Sequence, residues 1–209
     1  TEKDAVADVV MALDTSGSMN YIPEGGSSTR ATYTNIGNYP SAQLDTSKVY
    51  YAERNHYPMI YYNNAWIYYS SNGKYSGYSW KAVPYGTTVY SYNNRLTALK
   101  EAASTFIAST NVASTESRIG LVSFASGVKS QQELTKVDSN GRETLIKYIA
   151  NLSADGGTNP QTALQQAKIT LQDNKRTDVP QYVILFTDGK PTGSIGTDWK
   201  DSVAAETKV

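Results

Sequence analysis

The 209 residues suffice for one large domain, or for one domain carrying an excursion, and 19 acidic against 19 basic side chains leave no net charge to recruit nucleic acid or an anionic membrane. The absence of cysteine excludes disulfides and thiolate metal sites, and no apolar run is long enough to span a bilayer. The first residues do not read as a signal peptide, which leaves location open because a mature fragment would look the same.

In chain order, the first signal is Val9-Val10-Met11-Ala12-Leu13, an unbroken apolar run ending in Asp14-Thr15-Ser16-Gly17-Ser18-Met19. A strand with one wet face would alternate, so this run predicts a central parallel strand covered on both sides. The Ser-, Thr- and Gly-rich stretch after it becomes a loop at the strand's carboxyl end, where open α/β sheets bind ligands. Asp14, Ser16 and Ser18 lie two apart, so a tight turn can direct three oxygens at one point. A carboxylate with two hydroxyls is a hard donor set, suited to Mg²⁺ or Mn²⁺ rather than Zn²⁺.

Residues 21 to 93 form a separate compositional unit. They hold 15 of the 17 tyrosines, together with Trp66, Trp80 and the only histidine, His56. Pro23-Glu24-Gly25-Gly26-Ser27-Ser28 opens the unit with a loop signal. Met59-Ile60-Tyr61-Tyr62 and Trp66-Ile67-Tyr68-Tyr69 flank Asn63-Asn64-Ala65 and predict a β-hairpin. Ser71-Asn72-Gly73-Lys74 marks a second turn, since Asn-Gly suits positive φ. The unit is expected to be a small β-rich insertion, an arm.

Beyond the arm, Leu96, Leu99, Ala103, Phe106 and Ile107 predict an amphipathic helix over 94–109. Ile119 to Phe124 reads as a second buried strand, and 131–137 as a short, polar edge strand. Leu145, Ile146, Ile149 and Leu152 mark another helix. The loop Ser153 to Asn159 leads into Pro160, apt for the first turn of a helix carrying Ala163, Leu164, Ala167 and Leu171. Tyr182 to Phe186 is a third buried strand ending at Thr187-Asp188-Gly189, and a last helix is expected from near Asp198. Without the arm, strands alternate with helices, which predicts an α/β class with a doubly wound, mostly parallel sheet.

Three polar clusters thus follow strands or precede helices: Asp14 to Ser18, Gly156-Gly157-Thr158-Asn159, and Thr187-Asp188-Gly189. Together they resemble the von Willebrand factor type A domain, the family that includes integrin I domains. Its metal-ion-dependent adhesion site is written D-x-S-x-S, then a distant Thr, then a distant Asp. The matching positions are Asp14, Ser16, Ser18, Thr158 and Asp188. The resemblance covers residues 4 to about 205, giving one Rossmann-like domain over 1–209 with the arm at 21–93 inside it. It implies that Ser16, Ser18 and sometimes Thr158 ligate a divalent ion directly, while Asp14 and Asp188 often act through water. The implied ion is Mg²⁺ or Mn²⁺, with Ca²⁺ also open. Two carboxylates do not saturate such an ion, so an octahedral position remains for a partner's acidic oxygen. Thr158 is then the natural switch.

Two departures from the family stand out. The family's first helix follows D-x-S-x-S almost at once, whereas residues 21 to 93 intervene here. Such an arm looks like those of adhesins at the tips of Gram-positive bacterial pili and of related modular pilins. The family also has strands after the Asp188 loop that are not found here, so the domain is expected to be incomplete at its C-terminus.

Other chemistry finds less support. Asp138-Ser139-Asn140-Gly141-Arg142-Glu143 has half the length of a calcium loop and reads as a turn and helix cap. Ser71-Asn72-Gly73-Lys74 fits S-x-x-K but falls in a hairpin turn without partner motifs. No G-x-x-x-x-G-K-[ST] loop exists, a D-x-D phosphatase would need an acid at Ser16, and a serine triad would have to recruit His56 from the arm. The chain is read as non-enzymatic. The expected function is a metal-dependent adhesion module, extracellular on a bacterial surface or pilus, that binds a host extracellular matrix protein or glycan. Nucleic acid and membrane insertion are not expected. The tyrosines can build the arm's own core, or Tyr61, Tyr62, Trp66, Tyr68 and Trp80 can form a ligand-binding surface. The rival expectation is an assembly module whose ion knits loops and whose arm contacts a neighbouring pilus subunit.

Overall fold

The computed structural model describes residues 6–24, 28–109 and 116–189. In chain order its elements are β1 (Asp8–Asp14), a 3-10 turn (Gly17–Asn20), β2 (Tyr33–Asn38), β3 (Tyr50–Ala52), β4 (Tyr57–Tyr62), β5 (Ala65–Ser71), β6 (Tyr78–Ala82), β7 (Thr88–Tyr92), α1 (Arg95–Ser109), β8 (Arg118–Phe124), β9 (Val128–Lys136), α2 (Ser139–Ala150), α3 (Pro160–Asp173) and β10 (Gln181–Phe186).

The predicted apolar run is β1, and its position explains its composition. It pairs in parallel with β10 on one side and β8 on the other. Met11 and Leu13 on one face meet Leu96, Leu99, Ala103 and Ile107 of α1 and Leu145 and Ile149 of α2. Val10 and Ala12 on the other face meet Ala163, Ala167 and Leu171 of α3. With helices on both sides, neither face of the strand can be polar. The body sheet runs β10-β1-β8-β9, with β9 antiparallel to β8. Three parallel strands sandwiched by helices give the α/β class. The helix expected near Asp198 lies outside the described residues.

Some expectations need correction. β9 begins at Val128 rather than 131, because its antiparallel pairing with β8 already starts at Phe124–Val128. The α2 helix ends at Ala150, with Leu152 packed just beyond it. Phe106 is 36% exposed, since the face of α1 that meets the core is set by Leu96, Leu99, Ala103 and Ile107.

The arm is a six-stranded antiparallel sheet in the order β2-β7-β3-β4-β5-β6. The β4–β5 hairpin closes on Asn63 and Asn64 alone, both at positive φ (50° and 63°), and Ala65 already pairs with Tyr62. Alternation splits the sheet into two faces. One gathers Ala52, Met59, Trp66, Tyr68, Val83 and Val89 into the arm's own core. The other sets Val49, Tyr51 and Ile60, with Tyr62, Ile67 and Trp80, against Ala150 and Ile146 of α2. Polar bonds fasten this second face to the body. Tyr51 shares a 3.0 Å hydrogen bond with Thr97, Val49 N–H donates to Glu101 at 3.1 Å, and the Tyr62 hydroxyl donates to the Ser139 carbonyl at 3.1 Å.

This arrangement buries Trp66 and Tyr68 of the expected recognition surface and leaves Tyr61, Tyr62 and Trp80 half-buried. Trp66 and Tyr68 are interior, Tyr61 packs beside them, and Tyr62 and Trp80 lie on the face turned to the body. The arm's most exposed rings are Tyr75, Tyr78 and Tyr85, and Tyr75 is 88% exposed. Among the described residues, no helix is long and apolar enough to cross a membrane.

Candidate metal site

Because β1, β8 and β10 run parallel, their carboxyl ends share one edge of the sheet, and the loops that follow collect there. Asp14 closes β1 and is fully buried. Its Oδ1 accepts the Ser16 N–H at 2.8 Å, a local side-chain turn that bends the chain as soon as the strand ends. Its Oδ2 accepts the Thr187 hydroxyl at 2.7 Å, which ties the loop after β10 to the loop after β1. The Ser16 and Ser18 hydroxyl oxygens stand 3.1 Å apart, and Ser18 donates to Asp188 Oδ1 at 3.0 Å. Asp14, Ser16, Ser18 and Asp188 therefore belong to one connected network drawn from two loops.

Thr158 is buried in a third loop, pinned to the same edge. Gly17 N–H donates to the Gly156 carbonyl at 2.9 Å, Asp155 N–H to the Thr15 carbonyl at 2.9 Å, and Asn159 N–H to the Ala125 carbonyl at 2.7 Å. The first contact needs small residues: Gly156 sits at φ +77°, and a Cβ on Gly17 would stand 3.2 Å from the Gly156 oxygen. Asn159 then caps α3, whose first residue is Pro160.

The donors fit a hard divalent ion. They are two carboxylates and three hydroxyls, with no sulfur or imidazole among them. Among the described residues, no three His, Cys, Asp or Glu side chains gather as a metal site, here or elsewhere, so an ion here would depend on the hydroxyls as well as the two carboxylates. His56 is occupied otherwise: its ring lies 3.7 Å from that of Tyr33 and parallel to it within 4°, and burial lowers its pKa.

Two participants were not foreseen. Thr187 was seen only as part of a loop, yet it bonds Asp14. Arg95, the first residue of α1, places Nη1 2.5 Å from Asp188 Oδ2. Its charge is visible in the sequence, but its partner lies 93 residues away, and only the parallel sheet brings them together.

No curated protein matches the sequence. Two solved structures are similar to it: the PilB minor pilin from Streptococcus sanguinis, with a TM-score of 0.50, and an aspartate-to-alanine mutant of the same pilin, with a TM-score of 0.51. Each is 21% identical over 90% of this chain and 31% of the pilin chain, so this chain spans less than a third of that protein and the likeness concerns the fold. The von Willebrand factor type A domain model matches residues 85–190, from just before β7 through the Asp188 loop. That stretch includes Thr158 and Asp188, and it supplies α1, β8, β9, α2, α3 and β10, the greater part of the body. Covering just over half of the 209 residues, the match shows that the chain belongs to the von Willebrand factor type A domain family.

Proposed function

We propose that this chain is an adhesion module of a bacterial pilus or surface protein, which engages its partner through a divalent cation held by Asp14, Ser16, Ser18, Thr158 and Asp188. The observation that carries this reading is the close approach of Ser16, Ser18 and Asp188 oxygens, at 3.0–3.1 Å, beside a buried Asp14 at the carboxyl edge of the sheet. Bound there, Mg²⁺ or Mn²⁺ would offer a Lewis-acidic point for an acidic oxygen of the partner. The protein's own residues supply the rest. Asp14 orients the turn that presents Ser16, and Thr187 holds the Asp188 loop against it.

The fold likeness to a minor pilin supports an extracellular setting on a pilus, and the partner we propose is a host matrix protein or glycan. The exposed rings of Tyr75, Tyr78 and Tyr85 are the arm's best contact surface, because rigid aromatic rings give area at low entropic cost. A purely structural ion is disfavoured by the loops themselves. They are already joined by protein hydrogen bonds, Gly17 to Gly156, Asp155 to Thr15 and Thr187 to Asp14.

The test is an Asp14→Asn variant, which keeps an acceptor for the Ser16 N–H. Calorimetric Mn²⁺ binding and retention on matrix-protein surfaces should both be lost, and chelator should have the same effect on the parent. Stability without metal should change by only about 1–2 kcal/mol, the scale of one altered hydrogen bond. Undiminished retention in chelator would sink the adhesion reading.

A further inference from the structure

The candidate site carries a positive charge of its own. Asp188 uses Oδ1 to accept from Ser18 at 3.0 Å and Oδ2 to meet the Arg95 guanidinium at 2.5 Å. Asp14, by contrast, is satisfied by the Ser16 amide and the Thr187 hydroxyl, both uncharged. The Arg95 and Asp188 side chains are only 17% and 10% exposed, so salt screens this pair weakly. Arginine cannot shed its proton to make way for a cation. With Arg95 in place the two carboxylates present a net charge of about −1 to an incoming ion, and without it about −2, which at these separations is a large difference in attraction.

The placement of Arg95 is also tied to the arm. Its backbone N–H donates to the Tyr21 carbonyl at 3.0 Å, and its guanidinium lies 5.9 Å from the Tyr21 ring. Tyr21 directly follows the 3-10 turn that carries Ser18. On the other side, Asn94 N–H donates to the carbonyl of Tyr92, the last residue of β7, while the Asn94 side chain caps α1 by accepting the Thr97 N–H at 2.7 Å. The two ends of the arm therefore meet at Arg95. Arg95 and Asp188 also both line a cavity of about 580 Å³, which gives the guanidinium somewhere to withdraw.

We propose that Arg95 is a built-in competitor for Asp188, which lowers the affinity of the site for divalent cations and makes that affinity depend on how the arm is seated. The inference rests on the divalent-ion reading above. A cation that claims Asp188 displaces the guanidinium, and displacement disturbs the Tyr21–Arg95 junction. By reciprocity, a partner that pulls the arm so as to withdraw Arg95 tightens cation binding by the same factor. Arg95 is a positioning residue in this scheme; it need not touch the ion.

The experiment compares the full chain with Arg95→Met and Arg95→Lys, titrating Mn²⁺ by calorimetry and by the electron paramagnetic resonance signal of free Mn²⁺ at constant ionic strength. Arg95→Met should bind Mn²⁺ more tightly by about 5- to 150-fold, the usual range for coupled sites. It should also melt at a lower temperature in chelator, because Asp188 is left without its counter-charge, and saturating Mn²⁺ should restore most of that loss. Arg95→Lys keeps the charge and should stay within about threefold of the parent, a difference under 1 kcal/mol. Equal affinity in the parent and Arg95→Met overturns the proposal, as does an Arg95→Lys variant as tight as Arg95→Met. Absence of Mn²⁺ binding in all three chains overturns the metal reading on which the proposal stands.

Discussion

Lys100 carries an amine with little access to water: it is 2% exposed on α1, donates to the Ala150 carbonyl at 2.8 Å and lies 5.6 Å from the Tyr51 ring centre. Burial pushes its pKa down to about 7. An unfolded lysine titrates near 10.4, so between about pH 7 and 10 the unfolded chain holds a proton that the folded chain lacks. Stability must therefore rise with pH across that window and be lost as pH falls towards 7. Urea midpoints for the parent and a Lys100→Met variant should diverge in the parent's favour from pH 7 to 10, and parallel pH profiles would contradict this. Asp8 acts in the same sense at lower pH, because its pKa too is lowered on folding, though from a different cause. Burial alone would raise its pKa, but the bonds from Arg118 and Arg176 outweigh that and hold the carboxyl below its usual range. Its contribution is present above about pH 4 and lost as pH falls further. Lying at the far end of β1 from Asp14, it is a structural clamp, and it shows that a buried carboxylate in this chain is not by itself a functional one.

Among the elements, α2 shows how a local rule is reversed by its surroundings. Asp138 caps the helix by accepting the Gly141 N–H at 2.8 Å, which bears out the turn-and-cap reading of that stretch. By helix propensity alone, Gly141→Ala should stabilise by roughly 1 kcal/mol. Yet a Cβ at this position would stand 1.8 Å from the Lys136 carbonyl oxygen and 2.9 Å from the Thr135 methyl. Glycine is needed there because the first turn of α2 presses on the end of β9. Gly141→Ala should destabilise by about 1–3 kcal/mol, the cost of overpacking, measured as a lower urea midpoint at unchanged slope. The α1 helix tells a related story. Its apolar residues were legible as one stripe, but Thr97 and Lys100 are buried too, because the arm covers a second face that periodicity could not reveal.

At the scale of the whole molecule, the body and the arm are two sheets joined through the side chains of the arm's inner face. Ile60 lies in that interface, packed with Tyr51, Val49 and Ala150. Ile60→Ala should cost about 2–5 kcal/mol by leaving a cavity there. The cost should fall on the arm, so hydrogen exchange should quicken in β3, β4 and β5 while β1 and β8 keep their protection. Equal loss of protection in both sheets would mean that they unfold as one unit.

How much of this was readable beforehand depended on the range of the physics. The buried strand at β1, the helix caps, the hairpin at Asn63-Asn64 and the polar clusters at strand ends arise from interactions within a few residues, so composition and spacing sufficed for them. The loops that carry the five candidate metal positions were legible because each follows a strand or precedes a helix. Which aromatic rings the arm spends inside, the clash awaiting a side chain at Gly141, and the pairing of Arg95 with Asp188 were not legible. Each depends on which surfaces meet after the chain has closed on itself, and distant pairings of that kind leave no local mark on the sequence.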